Sequence, residues 1–85
     1  MEEASLQLGS KLSDLEVRIL DFERQWWKYA GAKDAAIKEL FDLSTRGYYE
    51  LLNNLIDRED ALVASPLLVK RLRRLRQARI SARSL

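Results

Sequence analysis

Apolar residues recur along this chain at spacings of three and four, in runs separated by turn-forming residues. Leu15, Ile19, Phe22 and Trp26 form the first run, with Leu20 and Trp27 widening it. The tetrapeptide SDLE at 13 to 16 has the form of a capping box, and Leu12 and Val17 are spaced as a hydrophobic staple around it. This predicts a helix from Ser13 to about Ala30, with Gly31 as its left-handed cap. Ile37, Leu40 and Phe41 form a second run and Tyr48, Leu51, Leu52 and Leu55 a third, with Leu43 plugging the tight turn between them. Ser44 is placed to cap the later helix. In the last run Ser65 and Pro66 start a helix with Leu68, Leu72 and Leu75 on one side. Beyond Arg76 the apolar stripe weakens, so QARISARSL is expected to fray or to order on a partner. The pattern predicts an all-α fold: a small helical domain of about four helices, with a helix-turn-helix over 33 to 56 and a basic C-terminal helix. The expected organisation is a flexible lead over 1–11, a helix-turn-helix core over 12–64, and a basic helix and tail over 65–85.

The segment AIKELFDLS resembles the helix-turn-helix of sigma-factor region 4 and related regulators at Ile37, Leu40, Leu43 and Ser44, with Tyr48 in place of the buried aliphatic residue of the second helix. Two positions depart from that pattern. Lys38 stands where a small residue is usual, and its stem can pack while its ammonium reaches water. Asp42 stands where glycine is usual, and it can adopt the left-handed conformation the turn needs. Thr45, Arg46, Tyr49, Glu50, Asn53 and Asn54 are left facing outward. Of these, Arg46 suits guanine and Asn53 or Asn54 suits adenine.

Charge changes the picture more than composition does. Up to Asp60 there are eight Lys and Arg against 13 Asp and Glu, a net −5; after it come Lys70, Arg71, Arg73, Arg74, Arg76, Arg79 and Arg83 with no acid, a net +7. Seven unpaired cations within 14 residues exceed what solubility requires and point to a polyanionic partner. The chain has 85 residues and neither cysteine nor histidine. That excludes disulfides, a thiolate nucleophile, zinc-thiolate sites and an imidazole base. The acids of IDREDAL are too few, and lack the turn glycine, for a calcium-type loop. No cofactor and no metal is expected, and no catalytic residue set is present, so the chain reads as a non-enzyme. MEEASLQLGS lacks the features of a signal peptide, and no stretch approaches the roughly 18 consecutive apolar residues of a spanning helix. The expectation is a cytoplasmic protein associated with the nucleoid, not with a membrane.

The cluster Trp26, Trp27, Tyr29 is aromatic-rich for so short a chain. On a helix, neighbouring residues point about 100° apart, so the two tryptophans cannot share one pocket. The open readings are that both lie in the core, that one anchors a protein interface, or that one stacks on bases. LDFERQWWKYAGAK at 20 to 33, AIKELFDLSTRGYYELLN at 36 to 53 and LLVKRLRRLR at 67 to 76 resemble a family of short actinobacterial proteins, catalogued as a domain of unknown function, that includes a mycobacterial nucleoid-associated protein. The similarity spans about Leu12 to Arg83. It implies a small chromosome-binding protein.

Double-stranded DNA is therefore the expected partner. Phosphate contacts are assigned to Lys70, Arg71, Arg73, Arg74, Arg76 and Arg79, and the groove-facing surface to Thr45, Arg46, Tyr49 and Asn53. Glu50 offsets Arg46, which favours low-specificity binding, nucleoid-associated or transcription-regulating, over a sharp operator reader. A homodimer formed through Trp or Tyr would extend so small an interface. The alternative is a module that binds a transcription or replication protein through its aromatic and acidic surface. A membrane-surface role for the last helix is disfavoured because its apolar side lacks aromatics.

Overall fold

A computed structural model describes residues 11–29 and 31–84. The described residues form five helices and no strand: α1 (Asp14–Gln25), α2 (Lys33–Phe41), α3 (Thr45–Ile56), α4 (Glu59–Ala64) and α5 (Pro66–Ser84), with a 3-10 turn, Trp26–Lys28, after α1. The all-α expectation holds, and α4 is a short fifth helix between the expected ones. The chain divides into two compact units, residues 13–55 and, of the described residues, 11–12 with 56–84. The flexible lead expected over 1–11 lies, but for Lys11, outside the described residues.

In the 13–55 unit, α1 begins on the capping box. Glu16 N–H donates to Ser13 Oγ at 3.1 Å and Ser13 N–H to Glu16 Oε1 at 2.9 Å, so two otherwise orphaned donors are satisfied. Ile19, Leu20 and Phe22 are buried, together with Glu23, on one face of α1. The helix stops short of the expected Ala30. At Gln25 the backbone leaves helical geometry (φ −148°, ψ 23°), and the tighter turn closes with Tyr29 N–H donating to the Trp26 carbonyl at 3.0 Å. Gly31 then takes φ +89°. Ala36 and Ile37 of α2 are buried, and so are Tyr48, Leu52 and Leu55 of α3. Phe22 meets Phe41 and Tyr48 edge to face, at 5.5 and 5.9 Å between centroids.

The turn between α2 and α3 follows its expected chemistry. Asp42 is left-handed (φ 56°, ψ 38°), and its N–H donates to the Lys38 carbonyl at 2.9 Å, closing α2. Lys38 Nζ holds the Asp42 carboxylate at 2.9 Å and so keeps that carboxyl below its ordinary pKa. Ser44 Oγ accepts from Gly47 N–H at 3.0 Å, the cap of α3. A Cβ added at Gly47 would lie 3.1 Å from that same oxygen, which the cap holds in place. Gly47→Ala is therefore expected to forfeit the gain of about 0.5–1 kcal/mol that such a change brings inside a helix, leaving the thermal midpoint unchanged or lower. A clear rise in the midpoint would show that the cap yields freely. Leu51, expected on the apolar seam, is instead exposed.

In the unit containing residues 56–84, Glu59 and Asp60 occupy the first turn of α4, where the helix dipole favours negative charge. Ser65 leaves helical geometry (φ −146°, ψ 70°), and Pro66 opens α5, where its missing N–H is no loss. Ala61, Leu68 and Val69 are buried. Helix α5 continues past Arg76 to Ser84, with residues 77–83 exposed. No helix among the described residues is long and apolar enough to cross a membrane.

Candidate nucleic-acid interface

The cations of α5 fall into two classes. Arg76 clamps Asp57 with two hydrogen bonds, Nη2 to Oδ1 at 2.7 Å and Nη1 to Oδ2 at 3.3 Å, and Arg73 Nε donates to the Ile56 carbonyl. Both are half-buried. Sequence counting treated all seven as unpaired. For these two that is corrected: their acceptors lie 17 and 19 residues upstream and are brought within reach only by folding. The clamp holds the Asp57 carboxyl below its ordinary pKa, chiefly through the Arg76 hydrogen bonds, with a further contribution from Arg73. A depressed folded value means the pair stabilises above the ordinary carboxylate range, and that this contribution is lost as pH falls through the depressed value. Asp57→Asn is therefore expected to melt below the wild type at neutral pH, and the two should converge in strong acid. Melts of both proteins that differ by the same amount at either pH would exclude the linkage.

Lys70, Arg71, Arg74, Arg79 and Arg83 are exposed and make no hydrogen bond or ion pair among the described residues. At 100° per residue, Lys70, Arg71 and Arg74 share an arc of about 100°, and the five cations span roughly 20 Å of helix. The line that is apolar at Leu68, Val69 and Leu72 is taken over by Arg76, Arg79 and Arg83. The distal half of α5 is thus an exposed rod of positive charge.

Thr45, Arg46, Tyr49 and Asn53 share one arc of about 100° on α3. Thr45 and Arg46 are exposed; Tyr49 and Asn53 are half-buried. Arg46 Nε lies 3.4 Å from Glu50 Oε2, an exposed pair one turn apart that contributes little and is easily released. Tyr49 lies edge-on to Tyr48, with Lys33 Nζ 5.2 Å from its ring centroid.

Beneath this face lies a buried cluster that the sequence reading did not single out. The Glu23 side chain is 3% exposed; its carboxylate accepts from Tyr48 Oη and pairs with Lys33 Nζ at 3.0 Å to Oε2. Burial first, then the hydrogen bond to Glu23, push the Tyr48 hydroxyl above its ordinary pKa, so it remains a donor. The same Lys33 ammonium lies 5.3 Å from the Trp26 ring centroid. One carboxylate on α1 thereby ties the first residue of α2 to the buried tyrosine of α3 and fixes the orientation of the α3 surface. The signal was present in the phase of the sequence: Glu23 lies four residues after Ile19 and three after Leu20, on the apolar stripe.

A family model described as "Protein of unknown function (DUF3263)" matches residues 11–84. No curated protein and no solved structure matches the chain.

Proposed function

The chain belongs to the DUF3263 family, whose function is unknown, and from that premise we propose that it binds double-stranded DNA with low sequence specificity, as a nucleoid-associated or transcription-regulating protein. The observation that carries this reading is the exposed row of cations on α5, Lys70, Arg71, Arg74, Arg79 and Arg83, on a helix with no acidic residue. A duplex carries one charge per about 1.7 Å of axis, and a rigid rod of cations releases its condensed counterions without reading bases. Helical order through Ser84 supports this role, because the cations are arrayed before any partner is met. The outer face of α3 is the surface for base contacts. Arg46 must leave Glu50 to reach guanine, and the remaining acid next to it opposes the approach of phosphate. Weak discrimination follows. Trp27, 57% exposed, favours a protein contact alongside DNA binding.

The test is binding of the intact chain to a random-sequence duplex across a salt series. Five phosphate contacts at about −0.9 each predict a slope of log affinity against log salt of roughly −4 to −5. No binding at moderate salt, or a flat salt dependence, would overturn the proposal.

A further inference from the structure

The five exposed cations of α5 do not form one stripe. At 100° per residue, Lys70, Arg71 and Arg74 centre on one side of the helix, and Arg79 and Arg83 centre about 150° away around it and about 14 Å further along. The buried Leu68 and Val69 occupy the side opposite Lys70, Arg71 and Arg74, and from 77 to 83 every residue is exposed. The core therefore accompanies only the proximal half of the helix. A row of phosphates along one flank would meet only one of the two cation clusters. The other would stand off by a helix diameter, about 10–12 Å with side chains, beyond the Debye length of about 8 Å at physiological salt. All five charges act together only where phosphates stand on both sides of the helix.

The major groove of B-form DNA is such a place. It is about 12 Å wide, lies between the two phosphate strands and admits an α-helix, whereas the minor groove, about 6 Å wide, is too narrow. The line midway between the two clusters then faces the groove floor. Ala82 falls on that line and Ala78 within about 50° of it, and both are exposed. Leu75, 49% exposed, precedes them on the same line. None of the three has a side-chain hydrogen-bonding group, so the helix can approach the floor without reading it, in keeping with low specificity.

We infer that the distal half of α5 lies in the major groove, with Lys70, Arg71 and Arg74 on the phosphates of one strand and Arg79 and Arg83 on those of the other, and that the protein thereby selects B-form DNA over duplex RNA. This rests on the DNA-binding reading above. Duplex RNA carries the same charge on each phosphate, but its major groove is deep and narrow and leaves no room for the helix.

The test is titration of the full chain with three duplexes of one sequence: DNA, RNA, and DNA whose cytosines carry glucosylated 5-hydroxymethyl groups, which fill the major groove and leave the phosphates in place. On the filled DNA, Arg79 and Arg83 lose their strand, so the salt slope should shrink by roughly 2, at about 0.9 per contact. Affinity at about 150 mM salt should then fall on the order of thirtyfold, the weight of two such contacts over the interval from there to 1 M. The RNA duplex should also bind more weakly than the unmodified DNA. Ala78→Trp should give unmodified DNA a deficit like that of filled DNA, because the indole meets the groove floor. Ile80→Trp, about 150° from the floor line, should not. Both positions are exposed, so both variants should keep the wild-type circular dichroism. Equal affinity for all three duplexes, or Ala78→Trp binding as tightly as Ile80→Trp, would overturn groove docking while leaving DNA binding intact. Failure to bind the unmodified DNA would overturn both.

Discussion

Glu23→Ala is expected to lower stability by about 3 kcal/mol, the lower end of the 3–5 kcal/mol that follows when one partner of a buried ion pair is removed. The physical reason is what the substitution strands. Lys33 loses its counterion at 3.0 Å, and the Tyr48 hydroxyl, completely inaccessible to solvent as part of its residue, loses its acceptor. The side chain of Lys33 is 20% exposed, so its ammonium recovers some hydration, and the flanking Trp26 and Tyr49 rings hold part of its charge; hence the lower figure. Small domains have only about 5–15 kcal/mol in hand, so the variant should unfold at a markedly lower urea concentration with an unchanged m-value. Tyr48→Phe is the companion measurement. It removes one donor and leaves Glu23 paired with Lys33, and it should cost nearer 1 kcal/mol. If Glu23→Ala costs no more than Tyr48→Phe, the ion pair contributes nothing and the cluster is held by packing alone.

The parts of this fold that were legible in the sequence are those fixed by neighbours in the chain. The capping box at Ser13 and Glu16, the left-handed Asp42, the Ser44 cap and the burial of Tyr48 each depend on residues three or four apart, and each is present. The misreadings have equally definite causes. The i, i+4 spacing of Phe22 and Trp26 looks helical whether the chain after Gln25 is α-helical or a tighter turn, so periodicity alone could not end α1 correctly. Leu51 has the right spacing, yet at 100° per residue it falls about 40° outside the arc spanned by Tyr48, Leu52, Leu55 and Ile56. The candidate surface was legible in composition, as a cationic C-terminal stretch, but not in detail. Charge counting could not distinguish Arg73 and Arg76, which bond to acceptors upstream, from the cations left exposed.

That distinction sets the largest expected effect on binding. Replacing Lys70, Arg71, Arg74 and Arg79 together with glutamine should reduce the magnitude of the salt slope by roughly 3 to 4, at about 0.9 per phosphate contact. Between 50 and 200 mM salt the intact protein should then lose on the order of a hundredfold more affinity than the variant. The fold should survive, because all four side chains are exposed and glutamine is nearly as good a helix former as lysine or arginine. Arg73→Gln and Arg76→Gln should do the reverse: each removes a bond within its own unit, lowering stability while leaving the slope nearly unchanged. Deleting the chain after Ser65 cannot separate these effects, since it also removes the buried Leu68 and Val69. Circular dichroism melts and duplex titrations on the three proteins supply the comparison. If the fourfold variant keeps the wild-type slope, the phosphate contacts do not come from this face of α5. If Arg73→Gln lowers the slope as much as the fourfold change, the arginines bonded within their own unit exchange those partners for phosphate, and the division between the two classes fails.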